Sequence, residues 1–370
     1  MPVKYIDVAA ISDLFVPATR AFGDIAIVGK GAAGTGASAA REFTNPADAI
    51  AAYPPANPGD PPTDLAAAIA IAFRQSPPPT KVWGVQVPGN AAAADWDTGL
   101  AAVALLDVQI VCLANTPLNQ ANAALVGKLA THVDTVSNTG ADGMERIGVA
   151  MLDSSLTAAQ QAALNTGTVA DERMFLVAHI SNEDAAAAAA GVIAGYEPQI
   201  SMLLKPIRIN MTQTFSDSDI DTLNGAFINW IASPVLFPGH GLYMGEGYTA
   251  NPSQGNKKYI DIVRTIDDIN FRVKAELIQS IGNFRVSRSG LRAIVTLVQS
   301  VLSPLVAQSV IEDYLVYIPL LVLLDKDPTT LSAAELAEIQ QHQADRNVDM
   351  VITVVYAGAI HRLHIKLVFK

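Results

Sequence analysis

Between Asp24 and about residue 200, short apolar runs alternate with stretches of helical composition, and no other property of the 370-residue chain narrows its fold as much. The runs are Asp24–Gly29 (DIAIVG), Lys81–Val87 (KVWGVQV), Val108–Ala114, Arg146–Leu152 (RIGVAML) and Met174–Ala178. Between them lie expected helices at Ala47–Tyr53, Leu65–Gln75, Asp95–Leu106, Leu118–His132 and Thr157–Asn165, with Glu183–Ala194 after the last run. Asn45-Pro46 starts the first helix and Asp64 caps the second. The last, EDAAAAAAGVIA, carries a small-residue face that permits close packing. Parallel strands need long crossovers, usually helical, so this order reads as an α/β domain with a mainly parallel sheet.

The pattern changes after Ser216. Ser216 or Asp217 caps a short helix ending at Asn224, and Ile228–Leu236 and Gly239–Gly247 are strand-like. Tyr259–Ile281 repeats apolar residues at helical spacing (Ile262, Ile266, Ile269, Val273, Leu277, Ile281). Gly290–Ile311 reads as a second long helix kinked by Pro304, and Tyr314–Leu324 as a strand. Leu331–Gln343 is a surface helix with the capping-box pair Ser332 and Glu335. The chain then closes on two strands. Met350–Tyr356 is apolar on both faces, as in a strand buried on both sides. After Ala357-Gly358-Ala359, Leu363, Ile365, Leu367 and Phe369 alternate with Arg362, His364 and Lys366, the period of a half-buried strand. At the other end, Val3, Tyr5 and Asp7 alternate with Lys4, Ile6 and Val8. This second half is α+β.

Composition sharpens the picture. Hydrophobic residues make up 50% and charged residues 16%, a balance that often hides surface in an assembly, although alanine contributes much of it. A net charge of −11 argues against direct nucleic-acid binding, which needs a basic field. The single cysteine, Cys112, lies in an apolar run and reads as a buried small hydrophobe. The first residues, MPVKYIDVAAISD, carry acids where a signal peptide needs an apolar core. Val295–Leu324 is interrupted by Gln299, Pro304, Gln308, Glu312 and Asp313, so no membrane insertion is expected.

Candidate chemistry is sparse. Gly29-Lys30-Gly31-Ala32-Ala33-Gly34 matches the dinucleotide fingerprint and follows a strand. A helix should open at the third glycine and a strand ending in an acid should follow about 20 residues on. Here Thr35-Gly36-Ala37-Ser38 and NPADAIAAYPP stand instead, so a glycine turn is preferred and a nucleotide-binding oxidoreductase is the rival. Asp217, Asp219 and Asp221 resemble the start of a calcium loop but lack its glycine and terminal glutamate; an acidic helix N-terminus accounts for them. His361 and His364 fall on opposite faces of a strand and cannot share a metal. His240 has no acid or cysteine at ligand spacing. No catalytic residue, cofactor or metal is expected.

The order of segments resembles the contractile tail sheath protein of tailed phages, tailed archaeal viruses, R-type bacteriocins and related injection systems. Phe15-Val16-Pro17 to Gly31 is similar to the sheath opening, an extended arm leading into a strand and glycine turn. Ala66–Val87 and Leu100–Asn115 resemble its helix–strand units, and Glu172–Pro206 its apolar strand followed by a small-residue helix. Phe215–Thr249 and Asp261–Leu277 (DIVRTIDDINFRVKAEL) follow in the family's order. Two positions depart. The usual GARTL is here Gly245-Glu246-Gly247-Tyr248-Thr249, and the second arginine of the helix start is Thr265.

The resemblance implies a structural subunit that is not an enzyme. It would polymerise as stacked six-fold rings around a tail tube and contract to drive that tube through a cell envelope. The partners would be other copies of the chain, the tube protein, and baseplate and terminator proteins, within a virion tail or an injection particle. Residues 1–22 would be an N-terminal arm, 23–240 an outer α/β domain, and 241–370 an inner α+β domain with a C-terminal arm over about 359–370. The arms, with Val3, Tyr5, Ile6 and Val8 at one end and Leu363, Ile365, Leu367 and Phe369 at the other, would be exchanged between subunits. Ile352, Val354 and Tyr356 would form the receiving strand, and Lys326–Arg346 is the candidate tube-facing element. A tube or baseplate subunit is the nearest structural alternative; the α/β middle disfavours a tube protein.

Overall fold

The computed structural model describes residues 21–139, 143–211, 213–234, 241–251, 257–280 and 282–361. These residues form two compact units. One comprises Ala21–Asp268 with the segment from Gly358; the other contains Ile269–Ala357. The expected boundary near residue 240 is passed: the first unit continues to Asp268, because Tyr248, Ala250, Ile260 and Val263 are buried in its cores.

The first unit is built from β1 (Ile25–Lys30), β2 (Arg41–Phe43), α1 (Pro46–Ala52), α2 (Asp64–Phe73), β3 (Val82–Val87), α3 (Ala93–Ala104), β4 (Ile110–Leu113), α4 (Ala123–Thr139), β5 (Ile147–Met151), α5 (Ala158–Ala162), β6 (Met174–Ala178), α6 (Ala185–Gly195), α7 (Asp217–Gly225), β7 (Asn229–Ala232), β8 (Tyr243–Met244) and the first turns of α8 (Ile260–Ser280). The strands make one sheet in the order β2-β3-β1-β4-β5-β6-β7-β8. All neighbours from β3 through β7 are parallel; β2 and β8 pair antiparallel at the edges. The sheet is thus mainly parallel, as expected.

Strand alternation divides the core between the two faces of the sheet. Ile25, Ile27, Ile110, Cys112, Val149 and Val177 pack with α1, α2 and α6. Ala26, Val28, Val111, Leu113, Ala150 and Leu176 pack with α3, α4, α5 and α7. The helix α6 is buried all round, from Ala185 to Ala194. Only small residues allow that approach: a Cβ on Gly191 would sit 2.5 Å from the carbonyl oxygen of Ala72 on α2.

Local signals set most helix starts. Asn45 accepts from the amide of Ala47, and Ser216 makes a capping box with Asp219, which fixes Ser216 as the cap. Thr63, rather than Asp64, caps α2; its Oγ1 accepts from the Ala66 N–H, and Asp64 is the first helical residue. The edge strand β2 has no sequence signal, being three residues long with two of them exposed.

The second unit holds the rest of α8, then α9 (Arg288–Ala307), β9 (Ile311–Tyr317), α10 (Pro319–Asp325), α11 (Ala333–Asp345) and β10 (Val351–Tyr356). The expected strand over Tyr314–Leu324 is corrected. It begins earlier, at Ile311, and stops at Tyr317, because Pro319 donates no ladder hydrogen bond and opens a helix instead. The strand-like reading of Gly239–Gly247 shrinks to Tyr243–Met244 within residues 241–247. α9 is long and apolar enough to cross a membrane by length and composition alone. It is amphipathic, however. Leu291, Val298, Val301, Leu302 and Leu305 are buried, while Arg292, Thr296, Gln299, Ser300 and Ser303 are exposed.

Candidate assembly surface and the root of the C-terminal segment

The strand expected to receive a partner is β10. It pairs antiparallel with β9, from Val351 opposite Tyr317 to Tyr356 opposite Ile311, with a register shift at the last pair. Among the described residues this sheet has two strands. The two-sided burial expected for Met350–Tyr356 does not hold. Ile352, Val354 and Tyr356 are half-buried, and Val351, Thr353 and Val355 are exposed. The inner face lies on a core of Ile269, Val273, Val298, Leu302 and Val310. The outer face presents Leu315 (62% exposed), Tyr317, Val351 and Val355. Helices on one face only leave the other side of a sheet uncovered; the apolar run carried no sign of which side that was.

The arm residues Val3, Tyr5, Ile6, Val8, Leu363, Ile365, Leu367 and Phe369 lie outside the described residues, as do His364 and His240. The root of the C-terminal segment is described, and it departs from the expected strand: Ile360 and His361 have irregular backbone. His361 Nδ1 lies 2.9 Å from Glu246 Oε2, and its Nε2 lies 2.9 Å from Ser201 Oγ. The imidazole leans on Tyr259 with ring centroids 4.4 Å apart. Tyr259 in turn stacks on Tyr248 at 5.3 Å, and Lys258 Nζ lies between 5.2 and 5.4 Å from the rings of Phe227, Tyr248 and Tyr259.

Sequence reasoning missed this cluster, since Glu246 and Ser201 stand 115 and 160 residues from His361. The available hint was the departure Gly245-Glu246-Gly247, which puts a carboxylate where the family pattern has alanine. Ser201, His361 and Glu246 have the connectivity of nucleophile, base and orienting acid. Ser201 Oγ, however, also accepts the Leu203 N–H at 3.2 Å and so closes a turn. Among the described residues, cavities of about 510, 630 and 480 Å³ lie elsewhere: along α3 and α4, beside α9 and α11, and beside the glycine loop.

The glycine loop does not build a phosphate cradle at a helix. Residues 31–40 are turn and irregular backbone leading into β2, with Gly34 at φ +82°, so no helix N-terminus opens at the third glycine. Asp219 is committed to the Ser216 cap, accepting from its N–H and hydroxyl. Cys112 is fully buried, and burial pushes its thiol well above the ordinary value.

The family-like segment after Tyr259 has structural roles. Arg264 donates to the carbonyls of Phe22 at 3.2 Å and Tyr196 at 2.8 Å; burial lowers its pKa to about 10. Thr265, where the family pattern has arginine, donates its hydroxyl to the Asp261 carbonyl at 2.7 Å. Asp267 forms a bidentate pair with Arg173 at 2.8 and 3.0 Å. Burial alone would lower the Arg173 pKa, but the bonds to Asp267 outweigh it and hold it above the ordinary value.

The sequence matches no protein-family model, and comparison with curated proteins gives no match. Solved structures do match. The helical sheath of the anti-feeding prophage in its contracted state aligns over 100% of this chain and 98% of its own, with TM-score 0.67 and 16% identity. A chain of the same prophage's six-fold symmetrised baseplate aligns over 100% and 99%, with TM-score 0.65 and 13% identity. The sheath tail protein Lin1278 from Listeria innocua aligns over 90% and 95%, with TM-score 0.58 and 10% identity. With the order of segments, the parallel sheet and the small unit carrying β9 and β10 in place, the chain has the fold of the contractile tail sheath proteins.

Proposed function

We propose that this chain is the structural subunit of a contractile tail sheath, a helical polymer of six-fold rings around a tail tube. The observation that carries the reading is the end-to-end match, over 100% of this chain and 98% of the other, to a sheath captured in the contracted state. Residues 21–268 form most of the outer domain. The second unit belongs to the inner, tube-proximal domain, where α11 and the turn before it (326–346) are the candidate tube contact. Partners are further copies of the chain, the tube, the baseplate and the terminator. The setting is a virion tail or an injection particle.

The link between subunits is strand addition to the β9–β10 sheet. Backbone hydrogen bonds along a strand edge provide attachment, and alternate side chains fix the register. An arm making about 4–6 ladder bonds gains roughly 0.5–1.5 kcal/mol from each. Burying Leu363, Ile365, Leu367 and Phe369 adds about 1.5–3 kcal/mol apiece, less the cost of ordering the arm. Single links of this size are modest, and ring closure on a tube multiplies them through effective concentration. Contraction then moves subunits that stay threaded to one another and needs no nucleotide.

Negative-stain microscopy of the purified protein tests the reading. Striated tubes are expected from the full chain. Truncation after His361 is expected to leave the α/β unit folded by circular dichroism and to abolish the tubes. Tubes of unchanged yield from the truncated chain would remove the C-terminal arm as the link.

A further inference from the structure

We propose that His361 is a latch that fixes the root of the C-terminal segment to the α/β unit and so sets the point from which residues 362–370 reach a second copy. The second half of this statement rests on the sheath reading; the first does not.

The described end of the segment is anchored very unevenly. Gly358, Ala359 and Ile360 are exposed, Ile360 by 81%. The next side chain, His361, is only 8% exposed and faces a carboxylate, Glu246, that is 6% exposed. Three separate stretches of chain converge on the imidazole: Ser201 after α6, Glu246 after β8, and Tyr259 at the start of α8. Both ring nitrogens are engaged, and one ring face is covered.

The socket is itself braced. Tyr248 donates its hydroxyl to Asn224 Oδ1 at 2.9 Å, its N–H goes to Asn229 Oδ1 at 2.7 Å, and Tyr259 stacks on its ring. A single side chain held by two hydrogen bonds and a ring contact, after three exposed residues, is a point attachment. Nine residues follow His361. At about 3.3 Å per residue they reach roughly 30 Å from that point. Fixing the origin confines the arm's search volume, which raises its effective concentration at a neighbouring edge.

Trypsin reads the latch directly on unassembled protein. It cleaves after Arg362 and after Lys366. A protease must seat residues on both sides of the bond it cuts, so cleavage after Arg362 needs His361 to leave its socket, whereas cleavage after Lys366 does not. Rates are taken relative to a free peptide of residues 357–370. In the intact protein, cleavage after Arg362 should be at least about 10-fold slower than after Lys366 on this relative scale. His361→Ala should abolish that difference while leaving the Lys366 rate unchanged. His361→Asn, which keeps a donor for Glu246 and loses the reach to Ser201, should fall between.

Equal relative rates at the two bonds of the unmodified protein would overturn the latch even if no variant folded. For assembly, His361→Ala should raise the critical protein concentration for tubes by about 10-fold. An unchanged critical concentration would remove the latch from assembly. A protected Arg362 bond in a protein that never forms tubes would overturn the sheath reading and leave the latch standing.

Discussion

Arg146 shows how a single residue can be decisive and yet look ordinary in the sequence. It stands at the start of an apolar run and is 0% exposed. Its guanidinium donates to the carbonyls of Val103 at 2.9 Å, Leu106 at 3.0 Å and Met144 at 3.0 Å, closing the C-terminal end of α3. Replacing it with methionine leaves those acceptors without this donor. We expect Arg146→Met to lower unfolding free energy by about 3 kcal/mol or more, measured by urea denaturation.

The neighbouring His132 carries the opposite signature. Burial, aided by the charge of Arg146, lowers its pKa from 6.5 to about 4. A histidine with a depressed folded pKa is neutral in the native state and takes up a proton on unfolding. Its contribution is therefore intact above about pH 6.5 and is lost progressively as pH falls toward 4. At about 1.4 kcal/mol per unit over the interval from 6.5 to about 4, the loss amounts to roughly 3 kcal/mol. His132→Gln should accordingly flatten the stability profile between pH 6.5 and 4; a profile as steep as that of the unmodified protein would exclude His132 as the source.

At the scale of elements, the α2–α6 contact is the most exacting. Ten consecutive buried residues of α6 are Ala, Gly, Val or Ile, and Gly191 has no room for a Cβ against the α2 backbone. Gly191→Leu should cost about 3 kcal/mol or more through overpacking, seen as a fall in Tm, whereas Gly225→Ala on α7, where a Cβ meets nothing within 4 Å, should be close to neutral. The small-residue face was legible in the sequence because only close packing gives such a run a use. The start of α10 was not. LVYIPLLVLL satisfies strand and helix equally, and the Pro319 position decides the matter only once the β9 register is known.

For the whole molecule, assembly and stability are expected to separate. The α/β unit has cores on both faces of its sheet, so removing residues 362–370 should leave its Tm within about 2 °C while eliminating polymer, checked by calorimetry and sedimentation of the same sample. A large fall in Tm would mean that the segment stabilises its own subunit.

The sequence by itself determined the parallel α/β architecture. Each apolar run is local, each crossover is long enough for a helix, and both properties act within about 40 residues. It also held the order of segments that marks the sheath fold and the helix starts at Asn45 and Ser332, whose capping partners lie within three residues. Tertiary structure alone decided the rest. Which face of β10 is uncovered depends on where α8 and α9 lie, a fact that an apolar heptamer does not encode. The division at Asp268 depends on which core buries the start of α8. The socket at His361 needs Ser201, Glu246 and Tyr259 brought together from three distant stretches. Short-range pattern fixes local conformation because its energies are local. Sites assembled across a hundred residues exist only after the chain has closed on itself.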